Sequence, residues 1–300
     1  MNLSAIFGPI TTPFDSRGDV DFSAAASNCR ALVKQGVDGI VIAGSTGEAA
    51  LLDELERTAL LETIRKAIPS NRILMGVGAE STRQTIERAK AAAIGGADAV
   101  LCVAPHYYGA AMNDSALRAH YHAVADASPK PVVLYTIPKY MHFALSASLV
   151  AELARHPNVI GIKDSSGDPA ILNGYLQAQS DSFTVLTGNG AQWLNALRAG
   201  ARGGILAVAL FAPQLARTVF ESHKAGRVAD ADGAQAKLTP LAVEIVGKMG
   251  IGAIKVACEA TGFEGGPVRS PLTNPDDATR KRVLELLDAS GLQRKAAAAA

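Results

Sequence analysis

The sequence is poor in cysteine and in aromatic residues, and it carries no excess of one charge. Its three cysteines, Cys29, Cys102 and Cys258, are too widely spaced for a disulfide framework or a C-x-x-C site. The formal net charge is +1, so we expect no basic surface for nucleic acid or an anionic membrane. The expected partner is a small molecule, and a reducing compartment fits the cysteine content best.

Long apolar runs, leader segments and metal motifs are also missing. The best apolar candidate, Gly204 to Pro213, is too short to span a membrane, and the amino terminus lacks the pattern of a signal peptide. We therefore predict a cytoplasmic protein with no membrane partner. The six histidines form no metal-ligand pattern, and no nucleotide loop of the G-x-x-x-x-G-K type is present. Neither a metal nor a cofactor is predicted.

Short runs rich in β-branched and apolar residues recur through the first two thirds of the chain. Their starts lie roughly 20 to 35 residues apart, which is the length of a strand and its crossover helix. Eight such units favour an α/β fold of the (β/α)8 TIM-barrel type, with an open doubly wound sheet as the second choice. The predicted strands are Ile6–Thr11, Gly39–Ala43, Arg72–Val77, Ala99–Ala104, Val132–Ile137, Val159–Lys163, Thr184–Thr187 and Gly204–Val208.

The strand pattern stops after Val208, and helical patterns follow. We predict a barrel over residues 1–210, a C-terminal helical extension packed on it over 211–292, and a tail over 293–300. The helices predicted in the extension are Pro213–Lys224, Asp230–Lys248, Ile251–Ala260 and Asp276–Ala289.

Polar and aromatic residues gather where the predicted strands end. In a barrel the loops at the carboxyl ends of the strands converge, so these residues would share one site. They are Gly44-Ser45-Thr46-Gly47-Glu48 after the second strand, Pro105 to Gly109 after the fourth, Tyr135 in the fifth, Lys163 in the sixth and Gly188-Asn189-Gly190 after the seventh.

Lys163 closes the apolar strand that begins at Val159. Burying an ammonium is costly unless it is paired or loses its proton, and a neutral amine can attack a ketone to form a Schiff base. On this stretch alone, a lysine that extends to solvent is the favoured alternative. Strand alternation places Gly161 on the face of Lys163, where its missing side chain would leave room beside the amine.

Hydroxyl groups accompany this lysine. Ser45 and Thr46 lie in a glycine-flanked turn whose N–H groups could bind a carboxylate, although an ordinary strand-to-helix turn is the alternative. Tyr135 could move protons during imine chemistry, or it could be a core tyrosine. Tyr107 and Tyr108 are adjacent in a loop, which is a hint of a subunit interface.

With these residues assembled, the chain resembles the dihydrodipicolinate synthase/N-acetylneuraminate lyase family of class I pyruvate aldolases. The likeness extends from Ile6 to about Leu272. It is found in PITTPF, GSTGE, the P-x-Y-Y loop, Y-x-x-P at Tyr135 to Pro138, and GIKDSSGD. Each motif is short, but their order and spacing together are specific.

The resemblance implies a homotetramer, built as a dimer of dimers, that works without a metal. Lys163 would form a Schiff base with pyruvate or another 2-oxo acid, and Thr46 with the Ser45–Thr46 backbone would hold the carboxylate. Tyr135 would transfer protons, helped by Ser45 and by Tyr107 from a neighbouring subunit. The implied catalytic residues are Lys163, Tyr135, Tyr107 and Ser45, and the implied substrate-binding residues are Ser45, Thr46, Ser165, Gly188 and Ile205.

Departures from the family pattern bear on the substrate. Synthases of the lysine pathway have an arginine for aspartate semialdehyde two residues after the Y-x-x-P proline, where this chain has Tyr140. A phenol does not replace a guanidinium, and Lys139, one position away, is expected to point elsewhere. Sialic-acid lyases have an acidic pair where this chain has Gly190 and Ala191.

The nearest likeness is to the 4-hydroxy-2-oxoglutarate aldolases, through PHYYGAAM, GARGGILAVA, GFEGGPVRSPL and the position of Ser165. That branch has asparagine at the place of Thr46. We predict a lyase that cleaves a short 4-hydroxy-2-oxo acid to pyruvate and an aldehyde. The alternatives are dihydrodipicolinate synthase, a dehydratase or aldolase for 2-oxo sugar acids, and a non-catalytic barrel that only binds a 2-oxo acid.

Overall fold

The computed structural model describes residues 1–292, so the predicted tail over 293–300 lies outside the described residues. Eight parallel strands form a closed barrel in chain order, with the first strand bonded to both the second and the eighth. The predicted TIM barrel is confirmed. The strands are β1 (Ile6–Pro9), β2 (Gly39–Ile42), β3 (Arg72–Gly76), β4 (Ala99–Val103), β5 (Val132–Thr136), β6 (Val159–Asp164), β7 (Thr184–Thr187) and β8 (Gly203–Ile205).

Helices cover the outside of the barrel and continue beyond it. They are α1 (Phe22–Lys34), α2 (Glu54–Ala67), α3 (Thr82–Ile94), α4 (Asp114–Ala127), α5 (Pro138–Met141), α6 (Ala147–Leu153), α7 (Pro169–Leu176), α8 (Trp193–Ala199), α9 (Pro213–Lys224), α10 (Val228–Pro240), the π-helix (Leu241–Met249), α11 (Ile251–Ala260) and α12 (Asp277–Ala289).

The predicted helix starts follow from local capping. Asp53 accepts a hydrogen bond from the N–H of Glu56, and the Glu56 side chain accepts one from the N–H of Asp53, so a complete capping box opens α2. Ser81 caps α3 in the same way by accepting from the N–H of Gln84.

The helix predicted over Asp230–Lys248 is wrong as a single α-helix. The α-helix ends at Pro240, which has no N–H to donate to the preceding turn, and a π-helix follows. Its end is marked by the hydrogen bond from the N–H of Gly250 to the carbonyl of Ile245, five residues earlier. This π-helix lies at one wall of the site described below.

A register shift between β5 and β6 aligns two residues of the site. Val132 pairs with Val159, but Val133 pairs with Gly161, so Ile160 has no partner in the ladder. This bulge brings Tyr135 directly opposite Lys163. Both side chains therefore emerge from neighbouring strands near the carboxyl end of the barrel.

Additional helices follow the barrel, as predicted, and they contribute to the buried core. Leu238, Leu241 and Ile245 are fully buried, and so is Val283 of α12. Within residues 1–292, no helix is long and apolar enough to cross a membrane. The division of the chain at residue 210 stays a prediction.

Candidate active site

A cavity of about 290 Å³ opens at the carboxyl ends of the strands, the end of a TIM barrel where active sites form. It is bounded on one side by the barrel loops and on the other by the π-helix and α11. The structure brings together at this cavity all but one of the predicted site residues, namely Ser45, Thr46, Tyr135, Lys163, Ser165, Gly188 and Ile205.

Lys163 is buried, with 5% of its surface exposed, and its amine lies 4.1 Å from the centroid of the Tyr135 ring. The ring face is electron-rich, so it attracts a cation, and the ring itself excludes water from one side of the amine. Tyr135 is also buried, at 4% exposure. A lysine extending to solvent, the alternative favoured by the strand alone, is therefore wrong.

Gly188, and not Gly161, leaves the room beside the lysine. A side chain on Gly161 would meet the backbone oxygen of Thr184 at 2.4 Å and the side chain of Leu3 at 3.0 Å. A Cβ on Gly188 would instead lie 2.9 Å from Cε of Lys163 and closer still to the hydroxyl of Ser165. The expectation that Gly161 leaves room beside the Lys163 amine was therefore wrong. Strand alternation predicts the face on which a residue lies, but it does not predict which atoms of other segments lie next to it.

Ser45 and Thr46 stand in a tight 3₁₀ turn, Ser45–Gly47. A hydrogen bond from the loop that follows β1 stabilises the turn, since the hydroxyl of Thr12 donates to the carbonyl of Gly47 at 2.7 Å. The first N–H groups of such a turn have no partner inside it. Two hydroxyls and these N–H groups form a cradle suited to a small carboxylate.

Another wall of the cavity is formed by α5, the π-helix and α11, of which the sequence had connected only Lys139 and Tyr140 with the substrate. Lys139 lines the cavity, contrary to the expectation that it points elsewhere, and its amine donates to the carbonyl of Gly247 at 3.0 Å. Tyr140 is beside it with 42% of its surface exposed. Ile251 and Ile254 complete this wall from α11. The cavity thus has a second lysine, Lys139, in its lining besides Lys163.

Tyr107 is the predicted residue that does not line this cavity. It is 78% exposed and packs edge-to-face on Tyr108, with ring centroids 5.0 Å apart. Its contribution to a relay would require a second subunit, so that role stays a prediction.

Within residues 1–292, no histidine lines the cavity and no three histidine, cysteine or acidic side chains form a group suited to a metal. His120 is buried, and burial lowers its pKa to about 4. Its ring nitrogens lie 2.9 Å from the Thr82 hydroxyl and 3.9 Å from the Cys102 sulfur. Burial also raises the pKa of Cys102 to about 12, so this pair is unreactive and structural.

A buried ionic cluster, formed by Glu48, Lys255 and the backbone of Arg269, lies next to the cradle and was not predicted from the sequence. Glu48 directly follows the turn and pairs with Lys255 of α11, with 2.7 Å between Oε1 and Nζ. The N–H of Arg269 donates to the other oxygen of Glu48 at 2.9 Å. The available signal was Lys255 itself, which is the one charged residue in the otherwise apolar run IGAIKVAC.

Comparison with known proteins agrees with this architecture. The model of the dihydrodipicolinate synthetase family matches residues 2–290. A 4-hydroxy-tetrahydrodipicolinate synthase of Prochlorococcus marinus is 34% identical, over 96% of this chain and 98% of its own. A protein of Emericella nidulans named "Probable 4-hydroxy-2-oxoglutarate aldolase, mitochondrial" is also 34% identical, over 91% of this chain and 90% of its own.

A solved structure gives the same result. The YagE prophage protein of E. coli K12, described as a member of the dihydrodipicolinic acid synthase family in complex with pyruvate, superposes with a TM-score of 0.90. It is 30% identical to this chain and the match covers 96% of this chain and 98% of that one. The chain therefore belongs to the dihydrodipicolinate synthetase family of lyase and aldolase enzymes.

Proposed function

We propose that this enzyme cleaves a short 4-hydroxy-2-oxo acid to pyruvate and an aldehyde through a Schiff base on Lys163. The observation that carries the proposal is the buried Lys163 amine over the Tyr135 ring, in a cavity that also holds Ser45 and Thr46. A nucleophilic amine, a proton-transferring phenol and a carboxylate cradle are the groups that imine chemistry on a 2-oxo acid requires.

In the proposed mechanism, the neutral amine of Lys163 attacks C2 of the substrate, and loss of water gives an iminium ion. Tyr135 takes the proton of the C4 hydroxyl, the C3–C4 bond breaks, and the electron pair moves to the iminium nitrogen. The aldehyde leaves and an enamine remains. Protonation at C3 and hydrolysis of the imine release pyruvate and restore the amine.

The carboxylate of C1 fits the Ser45–Thr46 cradle, whose N–H and hydroxyl groups donate hydrogen bonds to an anion. The distal part of the substrate would extend towards Ser165 and Lys139, which line the same cavity. A distal carboxylate would find the Lys139 ammonium there, so 4-hydroxy-2-oxoglutarate is the substrate we favour. Tyr140, at the place of the synthase arginine, argues against aspartate semialdehyde.

The experiment has two arms on one preparation. In the first, borohydride and pyruvate should trap a covalent adduct, observed by mass spectrometry, on the wild type and on a surface control, Lys66→Ala, but not on Lys163→Ala. An unmodified wild type would refute the Schiff base and favour the binding-only barrel.

The second arm measures pyruvate release from 4-hydroxy-2-oxoglutarate beside pyruvate consumption with aspartate semialdehyde. Release without consumption is the expected result. Consumption without release would make the protein a synthase in which Lys139 replaces the missing arginine. The 2-oxo sugar acids serve as the third substrate class in the same assay.

We also propose a cytoplasmic homotetramer in which Tyr107 enters the site of a neighbouring subunit. The exposure of Tyr107 and Tyr108, at 78% and 70%, supports an interface at this loop. Sedimentation velocity should show a tetramer for the wild type and a smaller species for a variant with both tyrosines replaced by serine. A monomeric, fully active wild type would contradict this arrangement.

A further inference from the structure

Glu48, the residue after the Ser45–Gly47 turn, combines an unusual backbone with a buried carboxylate. Its φ of 56° and ψ of 37° lie in the left-handed region, which residues other than glycine rarely adopt. Its side chain is fully buried. A buried carboxylate is costly without a cation and hydrogen bonds, so the surroundings of Glu48 must supply them.

Lys255 supplies the cation. Its side chain is 2% exposed, and its amine lies 2.7 Å from Oε1 of Glu48 and donates to the carbonyl of Pro267 at 2.6 Å. Among residues 1–292, Oε1 of Glu48 has no hydrogen bond of regular geometry, so the ion pair alone satisfies this oxygen. The ammonium also lies 4.6 Å from the centroid of the Phe14 ring.

The pair connects the two walls of the cavity. Thr46 lines the cavity two residues before Glu48, and Ile254 lines it immediately before Lys255. Neither Glu48 nor Lys255 lines the cavity itself. A movement of either charged group would therefore reach the substrate only through the cradle or through α11.

We propose that Glu48 and Lys255 are positioning residues, whose ion pair holds the Ser45–Thr46 cradle at the correct distance from α11 for a 2-oxo acid carboxylate. The inference rests on the proposed function, because it assigns the carboxylate to this cradle. The inference extends the proposed function, because it states that two residues outside the cavity, Glu48 and Lys255, control the affinity for the substrate.

A purely structural role can be separated from a positioning role by removing both charges together. A single substitution leaves one charge buried and unpaired, which destabilises the fold, whereas replacing both partners with neutral side chains of similar volume removes that penalty. Glu48→Gln keeps an acceptor for the N–H of Arg269, and Lys255→Met keeps the length of the chain. The double variant should regain thermal stability but not the geometry of the cradle.

The test measures the melting temperature and the pyruvate concentration that gives half-maximal borohydride trapping. We expect both single variants to melt below the wild type and the double variant to melt close to it. In the double variant the half-saturating pyruvate concentration should stay roughly 10- to 100-fold above wild type, because small misplacements of binding groups have effects of this order. The limiting trapping rate should change much less. Wild-type half-saturation in the folded double variant would overturn the proposal.

A matched control is Arg65→Met, which breaks the 2.6 Å pair of Arg65 with Asp98 on another part of the barrel. It should lower the melting temperature without changing half-saturation. If the double variant does not fold, Glu48→Asp makes the same test, since it keeps the charge and withdraws the carboxylate by one methylene. An unchanged half-saturation in Glu48→Asp would then overturn the proposal.

Titration calorimetry with pyruvate separates this inference from the imine chemistry. If the wild type binds pyruvate but is not trapped, the Schiff base is refuted. The Kd values of the wild type and the double variant for pyruvate would still test the positioning role. A wild type that does not bind pyruvate at all would overturn both.

Discussion

Gly188→Ala should disable the lysine by adding a single methyl group. The new Cβ would lie 2.9 Å from Cε of Lys163, whereas carbon atoms pack best at about 3.5–4.0 Å. Cε must therefore move by at least about half an ångström. The hydroxyl of Ser165 is closer to the Cβ position, but it is the end of a flexible side chain and can rotate away. Two close contacts remain, at 2.9 Å with Cε of Lys163 and at 3.1 Å with Cβ of Ser165, and the shorter one involves the carbon that carries the amine.

The expected effect is larger on chemistry than on folding. Overpacking of this kind costs about 1–3 kcal/mol of stability, which a large barrel tolerates. Misplacing a reacting group on the scale of 1 Å costs about 10²-fold in rate, so we expect borohydride trapping with pyruvate to slow by roughly 10- to 100-fold. The assay is single-turnover trapping followed by mass spectrometry, beside a thermal melt of the same sample.

Two controls isolate the cause. Gly233→Ala places a Cβ where no atom lies within 4 Å, in a helix that favours alanine over glycine by about 1 kcal/mol, so it should leave trapping unchanged. Adding Ser165→Ala to Gly188→Ala removes the contact with the hydroxyl and should leave trapping slow. Wild-type trapping by Gly188→Ala would refute the argument that this glycine makes room for Lys163.

Two further variants test the acid–base group and a buried imidazole. Tyr135→Phe should slow turnover by roughly 10² while leaving the melting temperature near wild type, as loss of a positioned proton donor requires; normal turnover would remove Tyr135 from the mechanism. The pKa of His120, lowered by burial to about 4 from 6.5, means that the unfolded chain binds the proton more tightly. The free energy of unfolding should therefore fall as the pH falls from about 6.5 to 4, with a contribution from His120 of about 3 kcal/mol. Urea titrations across this range should show a shallower decline for His120→Gln, and equal slopes would contradict the buried neutral imidazole.

The barrel could be predicted because its signal repeats. Eight apolar runs with helical patterns between them leave few alternatives, and most strand ends agree with the structure within one or two residues. The largest discrepancies occur where an apolar run continues past the end of pairing, as in the eighth strand, which was predicted to reach Val208 but ends at Ile205. Periodicity reports which residues are buried, and buried loop residues share that pattern.

The geometry of the site was less predictable, since it depends on contacts between segments distant in sequence. The bulge at Ile160 places Tyr135 opposite Lys163. Simple alternation of side chains along a strand does not predict a bulge. The wall formed by the π-helix and α11 depends on how Pro240 ends α10. The same limit explains the error at Gly161, whose neighbours come from β7 and from the amino terminus.

The two buried lysines differ in what surrounds their amines. Lys163 and Lys255 are both almost fully enclosed. Burial lowers the pKa of Lys255, and its pairing with Glu48, whose carboxylate is 2.7 Å from the amine, opposes that shift. Lys255 does not line the cavity, so its amine does not face a bound substrate. Among residues 1–292, no carboxylate lies within ion-pairing distance of Lys163, whose amine instead faces an aromatic ring and an open cavity. Lys255 is a single charge in an apolar run, and Lys163 closes an apolar run directly before Asp164, so the sequence marks both. The position of Glu48 and access to the cavity distinguish the two lysines, and only Lys163 has the surroundings that the proposed Schiff base requires.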